Sequence, residues 1–314
     1  MEQWLEFPKT VLEFEERFSS EQSCWAYLVK QRWPAGFRCP GCGHGKAWQL
    51  TRRRLLECRS CHRQVSVTAG TVFHGSRKPL RLWFKAMLLM TSQRPGISAL
   101  SLKKQLGLPS YQTAWTWLHK LRRATLRPDR EALSGEIEVD EGYVGGLEPG
   151  VHGRETKTKS LVVVAVEVKG QAAGRLRMAQ VEDGSAASLH GFVVDNVAPG
   201  STVRTDGWNG YKGLGNGGYR HRPRVLRDPK KASRLFPRVH RAISLLKRWL
   251  LGTHQGAVRP QHLPAYLHEF VFRYNRRSSR AATLPFERLC AIAVLTQPIT
   301  YRRIVDEPQG LVAA

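Results

Sequence analysis

Apolar residues in this chain recur at two spacings, and the switches between them lay out its elements. Through residues 8–34 the spacing is helical: Val11, Phe14 and Phe18, then Cys24, Trp25, Leu28 and Val29. From Phe37 to Val67 it changes to short alternating stretches broken by Gly, Cys and Arg, which predicts small β-hairpins. Leu80 to Met90 is apolar and helical again. Two short helices are expected between Gly96 and Thr125. The first holds Ile97, Leu100 and Leu102 and ends near Leu106. Gly107-Leu108-Pro109-Ser110 makes the turn, with Gly107 at the C-terminal position and Ser110 as the next N-cap. The second, Tyr111 to Ala124, gathers Ala114, Trp117, Leu118 and Leu121 on one face.

After a linker at Arg127-Pro128-Asp129 the pattern becomes mixed. Glu136 to Tyr143, Leu161 to Val168 and Gly174 to Val181 read as strands joined in a meander. A helix over Ser185 to Val197 follows, then a strand over Ser201 to Thr205, and helices over Val239 to Leu251 and Pro264 to Arg276. Strands interleaved with helices give an α/β class. A chain of 314 residues has room for several domains. The divisions suggest N-terminal helices and hairpins over 1–78, a helix-turn-helix over 79–130, a mixed-sheet domain over 131–296 and a tail over 297–314.

Charge narrows the partners. Against 25 Asp and Glu stand 50 Lys and Arg, a net +25, more than solubility needs and suited to a polyanion. A membrane surface is the competing polyanion, but the longest apolar stretch, Leu161 to Val166, is far too short to span a bilayer, and no membrane partner is expected. The N-terminus, Met1 to Glu6, is acidic with no apolar segment, so a reducing cytoplasm is expected. Six cysteines in that setting argue for thiolate ligands rather than disulfides.

Four of them fall as Cys39-x2-Cys42 and Cys58-x2-Cys61. Two such pairs supply the four sulfurs of a closed structural zinc site, with no open position for catalysis; spacing alone leaves an iron–sulfur centre open. Arg38, Arg59 and Arg63 lie close enough in sequence to offset a tetrathiolate, whereas Cys24 stands apart as a small apolar residue. The second helix of the 96–125 pair carries His119, Lys120, Arg122 and Arg123. Two ordinary packed helices are the commoner fate of such a pattern; the basic residues beside a zinc module favour docking on DNA.

A second group of residues carries candidate chemistry. Alternation puts Glu136, Glu138 and Asp140 on one face of their strand, and Asp206 closes another strand before Gly207-Trp208-Asn209-Gly210. One Asp at a strand end is usually a turn cap; two in so basic a chain point to a metal site. Helical spacing sets His240, Ser244 and Lys247 in one sector, 34 residues after Asp206. Between Arg220 and Arg248 there are eleven Lys or Arg, among them Lys230, Lys231 and Arg234, and one acid, Asp228; such a run suits a DNA backbone. Trp208 and Tyr211 offer rings for an unpaired base or for core packing.

These residues give the chain a family likeness. It resembles the bacterial insertion-sequence transposases of the ISXO-like group, which join a zinc ribbon to an RNase H-like DDE domain. The stretches that carry the likeness are Cys39-Pro-x-Cys-Gly43, Val67-Thr-Ala-Gly-Thr71, Glu138-Val-Asp-Glu141 with Gly145-Gly146, Thr205-Asp-Gly-Trp-x-Gly-Tyr211, His240 with Lys247-Arg248, Gly252-Thr-His254-x-Gly256, and Glu269-Phe-x-Phe-Arg-Tyr-Asn-Arg-Arg277.

The resemblance implies an RNase H-like sheet whose first and fourth strands are adjacent and each end in an Asp. It implies two divalent ions, Mg2+ or Mn2+, held by Asp140, Asp206 and a third residue on the late helix, for cleaving and joining DNA. By spacing and by the following Lys247 the third residue is His240, where the wider superfamily has Glu; Glu269 is the fallback. Glu138 and Glu141 are expected only to support the site. His254 joins the expected DNA contacts. Partners implied are double-stranded DNA, as terminal inverted repeats and target, and a second copy of the chain. A catalytically inactive DNA-binding derivative and an RNase H-like nuclease or resolvase are the competing functions.

Overall fold

The computed structural model describes residues 8–93, 95–126, 130–146, 158–225, 235–256, 258–279 and 283–306. They fall into two compact units, one made of the chain up to Thr125 together with Ser278–Asp306, the other of Leu126–Arg277.

The first unit opens with α1 (Val11–Arg17), capped by Thr10, and α2 (Glu21–Arg32), closed by a capping box between Ser20 and Ser23. Three short antiparallel strands follow in the order β1 (Ala47–Leu50), β2 (Leu55–Cys58), β3 (Gln64–Ser66). Then come α3 (Leu80–Ser92), α4 (Ala99–Leu106) and α5 (Tyr111–Arg123). Pro79 offers α3 no side-chain cap; the Glu21 carboxylate supplies one instead, accepting from the N–H groups of Leu80 and Arg81 at 2.9 Å each. The turn between α4 and α5 is built as its sequence implies. Gly107 takes a left-handed φ of +59°, and the Ser110 hydroxyl accepts from the Thr113 N–H at 3.1 Å. Ile97, expected inside the first helix, precedes it, and Leu100 is on the solvent side. The rings of Trp83 and Trp117 stack 3.9 Å apart and join α3 to α5.

The second unit is built on a five-stranded sheet. Its elements are β4 (Glu136–Val144), β5 (Ser160–Lys169), β6 (Ala172–Val181), α6 (Ala186–Asn196), β7 (Thr202–Asp206), β8 (Arg220–Arg224), α7 (Pro237–His254) and α8 (Leu263–Tyr274). The strand order is β6-β5-β4-β7-β8, with β6, β5 and β4 antiparallel and β4, β7 and β8 parallel. The first and fourth strands of this sheet are therefore adjacent, in an RNase H-like arrangement. Both faces are covered, which is why β5 reads as a continuous apolar run. Val163, Ala165, Ile137, Val139 and Val203 pack with Leu189, Phe192 and Val193 of α6. On the other face Val162, Val164 and Val166 meet Val239, Ile243, Leu246 and Leu250 of α7 and the apolar side of α8.

Three details depart from the expected layout. The strand expected over Glu136 to Tyr143 runs one residue further, to Val144, so Asp140 lies within it and not at its end as the resemblance implies. Arg220–Arg224, which has no apolar alternation, is an edge strand held by backbone pairing with β7. Residues 278–296, expected with the mixed sheet, belong to the first unit: α9 (Leu284–Ala293) puts Phe286 against Phe14 at 4.7 Å and Phe84 at 5.3 Å, and α10 (Tyr301–Asp306) follows it there. The Tyr274-Asn275-Arg276-Arg277 stretch has a structural use. Asn275 pairs with the backbone of edge strand β6, accepting from the Leu176 N–H at 2.7 Å and donating to its carbonyl at 3.1 Å. Among the described residues no helix is long and apolar enough to cross a membrane.

Candidate metal centres

The four cysteines come together through two equivalent knuckles. In the first, the Gly41 N–H points to Cys39 Sγ at 3.4 Å, and Gly43, with φ +74°, returns its N–H to the Cys39 carbonyl at 2.9 Å. In the second, the Ser60 N–H points to Cys58 Sγ at 3.4 Å, and His62 repeats the left-handed turn at φ +55°. Cys39 Sγ lies 3.6 Å from Cys61 Sγ, and Cys42 Sγ 3.5 Å from Cys58 Sγ. Those gaps approach the ~3.8 Å edge of a tetrahedron with Zn–S bonds of about 2.3 Å. Backbone N–H groups of Cys42 and Gly41 hold the Cys39 thiol down at about 6, and that of Cys61 lowers Cys58. The Arg63 N–H favours the Cys61 thiolate, yet the crowding of Cys42, Cys39 and Cys58 drives that thiol up to about 12. Four converging sulfurs with this conflict fit a dication.

The second centre lies where β4 and β7 part. Their pairing runs from Glu136↔Thr202 to Glu138↔Arg204, and the same register carried two residues further sets Asp140 level with Asp206. Asp140, Glu141 and Asp206 offer carboxylate oxygens within 4.8 Å of one another. Each acid is tied to the backbone or to a buried ring. The Glu141 N–H donates to Asp140 Oδ1 at 2.9 Å, the Trp208 N–H to Asp206 Oδ1 at 3.0 Å, and the hydroxyl of fully buried Tyr211 to Glu141 Oε2 at 2.8 Å. His240 comes from α7, with Nδ1 3.5 Å from Asp140 Oδ2. Its Nε2 is buried and has no hydrogen-bond partner among the described residues. Burial lowers the pKa of His240 although Glu138 and Asp206 pull it upward, so a neutral ring is favoured, the form in which imidazole serves as a ligand. Three clustered carboxylates fit Mg2+ or Mn2+; His240 touches them through Nδ1 on Asp140 and is not one of the three converging groups, and as a ligand an imidazole nitrogen suits Mn2+ better.

Other expected site residues are placed as follows. Lys247 is exposed, about 10 Å further along α7 from His240. Glu269 is buried on α8 beside Arg273 at 3.6 Å and is not in the carboxylate group. On α5, Lys120 and Arg123 are half-buried, and Arg122 is buried because it follows Leu118 by four residues on the packed face; it is not available to DNA as expected. The exposed end of α5 is its N-terminus, at Tyr111 and Gln112. The Trp208 indole N–H donates to the Gly184 carbonyl at 2.9 Å, leaving the ring partly open. His254, half-buried, packs edge-on between Trp249 at 4.9 Å and Tyr266 at 4.8 Å. Lys230, Lys231 and Arg234 lie outside the described residues. Sequence reasoning undervalued Glu141 and Tyr211; the signal was their place in the two stretches that carry Asp140 and Asp206.

Known proteins agree with this architecture. Residues 132–275 match the ISXO2-like transposase domain and residues 19–64 the transposase zinc-ribbon domain, together more than half of the chain. An uncharacterized protein in transposable element ISH50 of Halobacterium salinarum is 27% identical over 275 residues, covering 82% of this chain and 91% of that protein. Among solved structures, the cryo-electron microscopy structure of a simian T-cell lymphotropic virus intasome in complex with PP2A regulatory subunit B56 gamma matches with 14% identity and a TM-score of 0.30, over 56% of this chain and 64% of that one. This chain thus spans less than two thirds of that neighbour, and the likeness is too slight to carry an argument. With a strand order and cysteine and carboxylate groups in keeping with them, the two domain matches place the chain among the ISXO2-like insertion-sequence transposases.

Proposed function

We propose that this transposase binds the terminal inverted repeats of its element and carries out metal-dependent strand cleavage and strand transfer. The observation that carries the reading is the meeting of Asp140, Glu141 and Asp206, with His240 against Asp140, at the opening between two parallel strands of a chain with net charge +25. When bound, two divalent ions supply Lewis acidity for in-line attack by water or a DNA 3′-OH and for departure of the opposite oxygen. Asp140 and Asp206 hold them on rigid strands, and Tyr211 keeps Glu141 turned toward the opening. His240 serves as ligand or general base, and Lys247 contacts a phosphate. The cysteine tetrad holds a structural zinc. The ribbon and the α4–α5 pair recognise element ends, and a dimer or larger assembly brings two ends together, on nucleoid DNA in the cytoplasm.

The test is strand transfer by purified protein on duplexes carrying the element's own ends. Joining supports the reading. Cutting without joining selects an RNase H-like nuclease, and binding without chemistry an inactive derivative. End binding is expected to be steeply salt-dependent. If about 6–10 phosphates are neutralised, affinity falls by about 10³–10⁵ between about 50 and 200 mM salt. A flat response in a filter-binding titration removes the polyanion argument.

His240→Ala is expected to slow strand transfer by about 10²-fold or more, whether the ring acts as ligand or base. His240→Glu keeps activity or shifts the preferred ion toward Mg2+. Lys247→Ala has the smaller effect. If Glu269→Gln stops the reaction and His240→Ala does not, the third position belongs to α8.

A further inference from the structure

We propose that Glu138 is a positioning residue for the carboxylate site: its carboxylate docks the N-terminus of α7 onto β4 and so sets His240 against Asp140. The proposal rests on the reading of His240 and Asp140 as metal ligands.

Helix α7 begins at Pro237, and Phe236 before it offers no side-chain cap. Glu138 supplies the cap from the sheet. Its Oε2 accepts from the backbone N–H groups of Arg238 at 2.8 Å and Val239 at 3.0 Å, and its Oε1 from Arg238 Nη1 at 2.9 Å. Glu138 is wholly buried, and these donors at the helix N-terminus satisfy its carboxylate oxygens. The Arg238 guanidinium also reaches the carbonyls of Ala172, at 3.1 Å, and Gly170, which fixes the helix start from a second direction.

The consequence follows from two periodicities. Asp140 is the next residue on the same face of β4, about 7 Å beyond Glu138. His240 lies two residues beyond Arg238, about 3 Å along α7. With Glu138 locked to Arg238 and Val239, His240 Nδ1 comes to 3.5 Å from Asp140 Oδ2. One step further on that face, Gly142 lets the helix close on the strand: an added Cβ there would lie 3.1 Å from Ile243 Cγ2. The face of β4 thus reads, in order, helix cap, ligand and close-approach glycine.

Mn2+ is the probe, bound to the full chain and followed by electron paramagnetic resonance, with electron spin echo modulation reporting imidazole nitrogen at the ion. Wild type is expected to show nitrogen coupling and His240→Ala to lose it. Glu138→Gln should fold, by circular dichroism, bind Mn2+ about 10-fold more weakly or worse, and lose the coupling. Leu189→Ala, a cavity under α6 on the opposite face of the sheet, lowers the melting temperature and keeps the coupling. That separates positioning from general destabilisation. If Glu138→Gln does not fold, Glu138→Asp carries the test: it draws the carboxylate back by one methylene from both backbone donors and should weaken the coupling in a folded chain. Full coupling in folded Glu138→Gln, or in Glu138→Asp where that variant carries the test, overturns the proposal while leaving His240 a ligand. Wild type without coupling, with Mn2+ affinity unchanged in His240→Ala, overturns the ligand reading and this proposal together.

Discussion

Asn in place of Asp140 or Asp206 is expected to abolish strand cleavage and strand transfer while binding to element ends persists. The substitution keeps the side chain's shape and one carbonyl oxygen. That oxygen can still accept the N–H of Glu141 or of Trp208, so the local backbone is held as before. What is lost is a negative charge among three carboxylates whose oxygens lie within 4.8 Å of one another. Without the ion's company such a cluster repels itself; with it, each carboxylate contributes to holding the charge that stabilises the transition state. Metal-assisted stabilisation amounts to several kcal/mol, so a loss of about 10³-fold or more is expected from either change. Single-turnover cleavage of a labelled end duplex measures the loss, and a gel-shift titration measures end binding. A variant that cuts at near wild-type rate removes its residue from the metal site. A variant that neither cuts nor binds points to misfolding and is resolved by its circular dichroism.

The same residues show where sequence reading succeeds and where it stops. Asp140 and Asp206 were legible because alternation and a strand-closing turn are local patterns and the family likeness implies adjacent strands; the parallel register that sets the two residues level comes from the structure. The α4–α5 turn was legible because Gly107 and Ser110 are local signals too. Glu138 looked like a neighbour of Asp140 because its partners, Arg238 and Val239, are a hundred residues away and nothing local announces them. Glu141 points to the opposite side from Asp140 by strict alternation; its carboxylate reaches the cluster only because β4 and β7 have stopped pairing at that level and Tyr211 meets it there. Arg122 misled in the other direction. Its charge suggested a DNA contact, whereas its four-residue offset from Leu118 assigned it to the packed face. β8 was invisible because an exposed edge strand needs no apolar residue to pair through its backbone.

Loss of the ribbon's metal should have the other large effect, and its reach should be bounded. The ribbon's strands are three or four residues long, and Leu56, Val65 and Val67 are the main apolar side chains it buries. A core that small does not offset the entropy of ordering the segment, so the metal must do so. A structural zinc site is worth about 10–16 kcal/mol in small modules at neutral pH. The rest of the unit has its own cohesion in the Phe14, Phe18, Tyr27, Phe84 and Phe286 rings and the Trp83–Trp117 stack. Purified, reduced protein is therefore expected to carry zinc. Cys39→Ser or Cys61→Ser should release it and open residues 37–67 to fast hydrogen exchange, leaving α3 to α5 protected. The ribbon's ties to α2, through the Trp25 indole to the Arg54 carbonyl and through Arg32 to the carbonyls of Ser66 and Val67, should exchange or loosen with it. End-specific binding should fall to the level of random duplex, because the exposed cations Arg52, Arg53, Arg54 and Arg59 are then no longer held in one arrangement. Metal analysis that finds no zinc in reduced protein, or a Cys39→Ser chain that still selects the element's ends, would remove the ribbon from the recognition step.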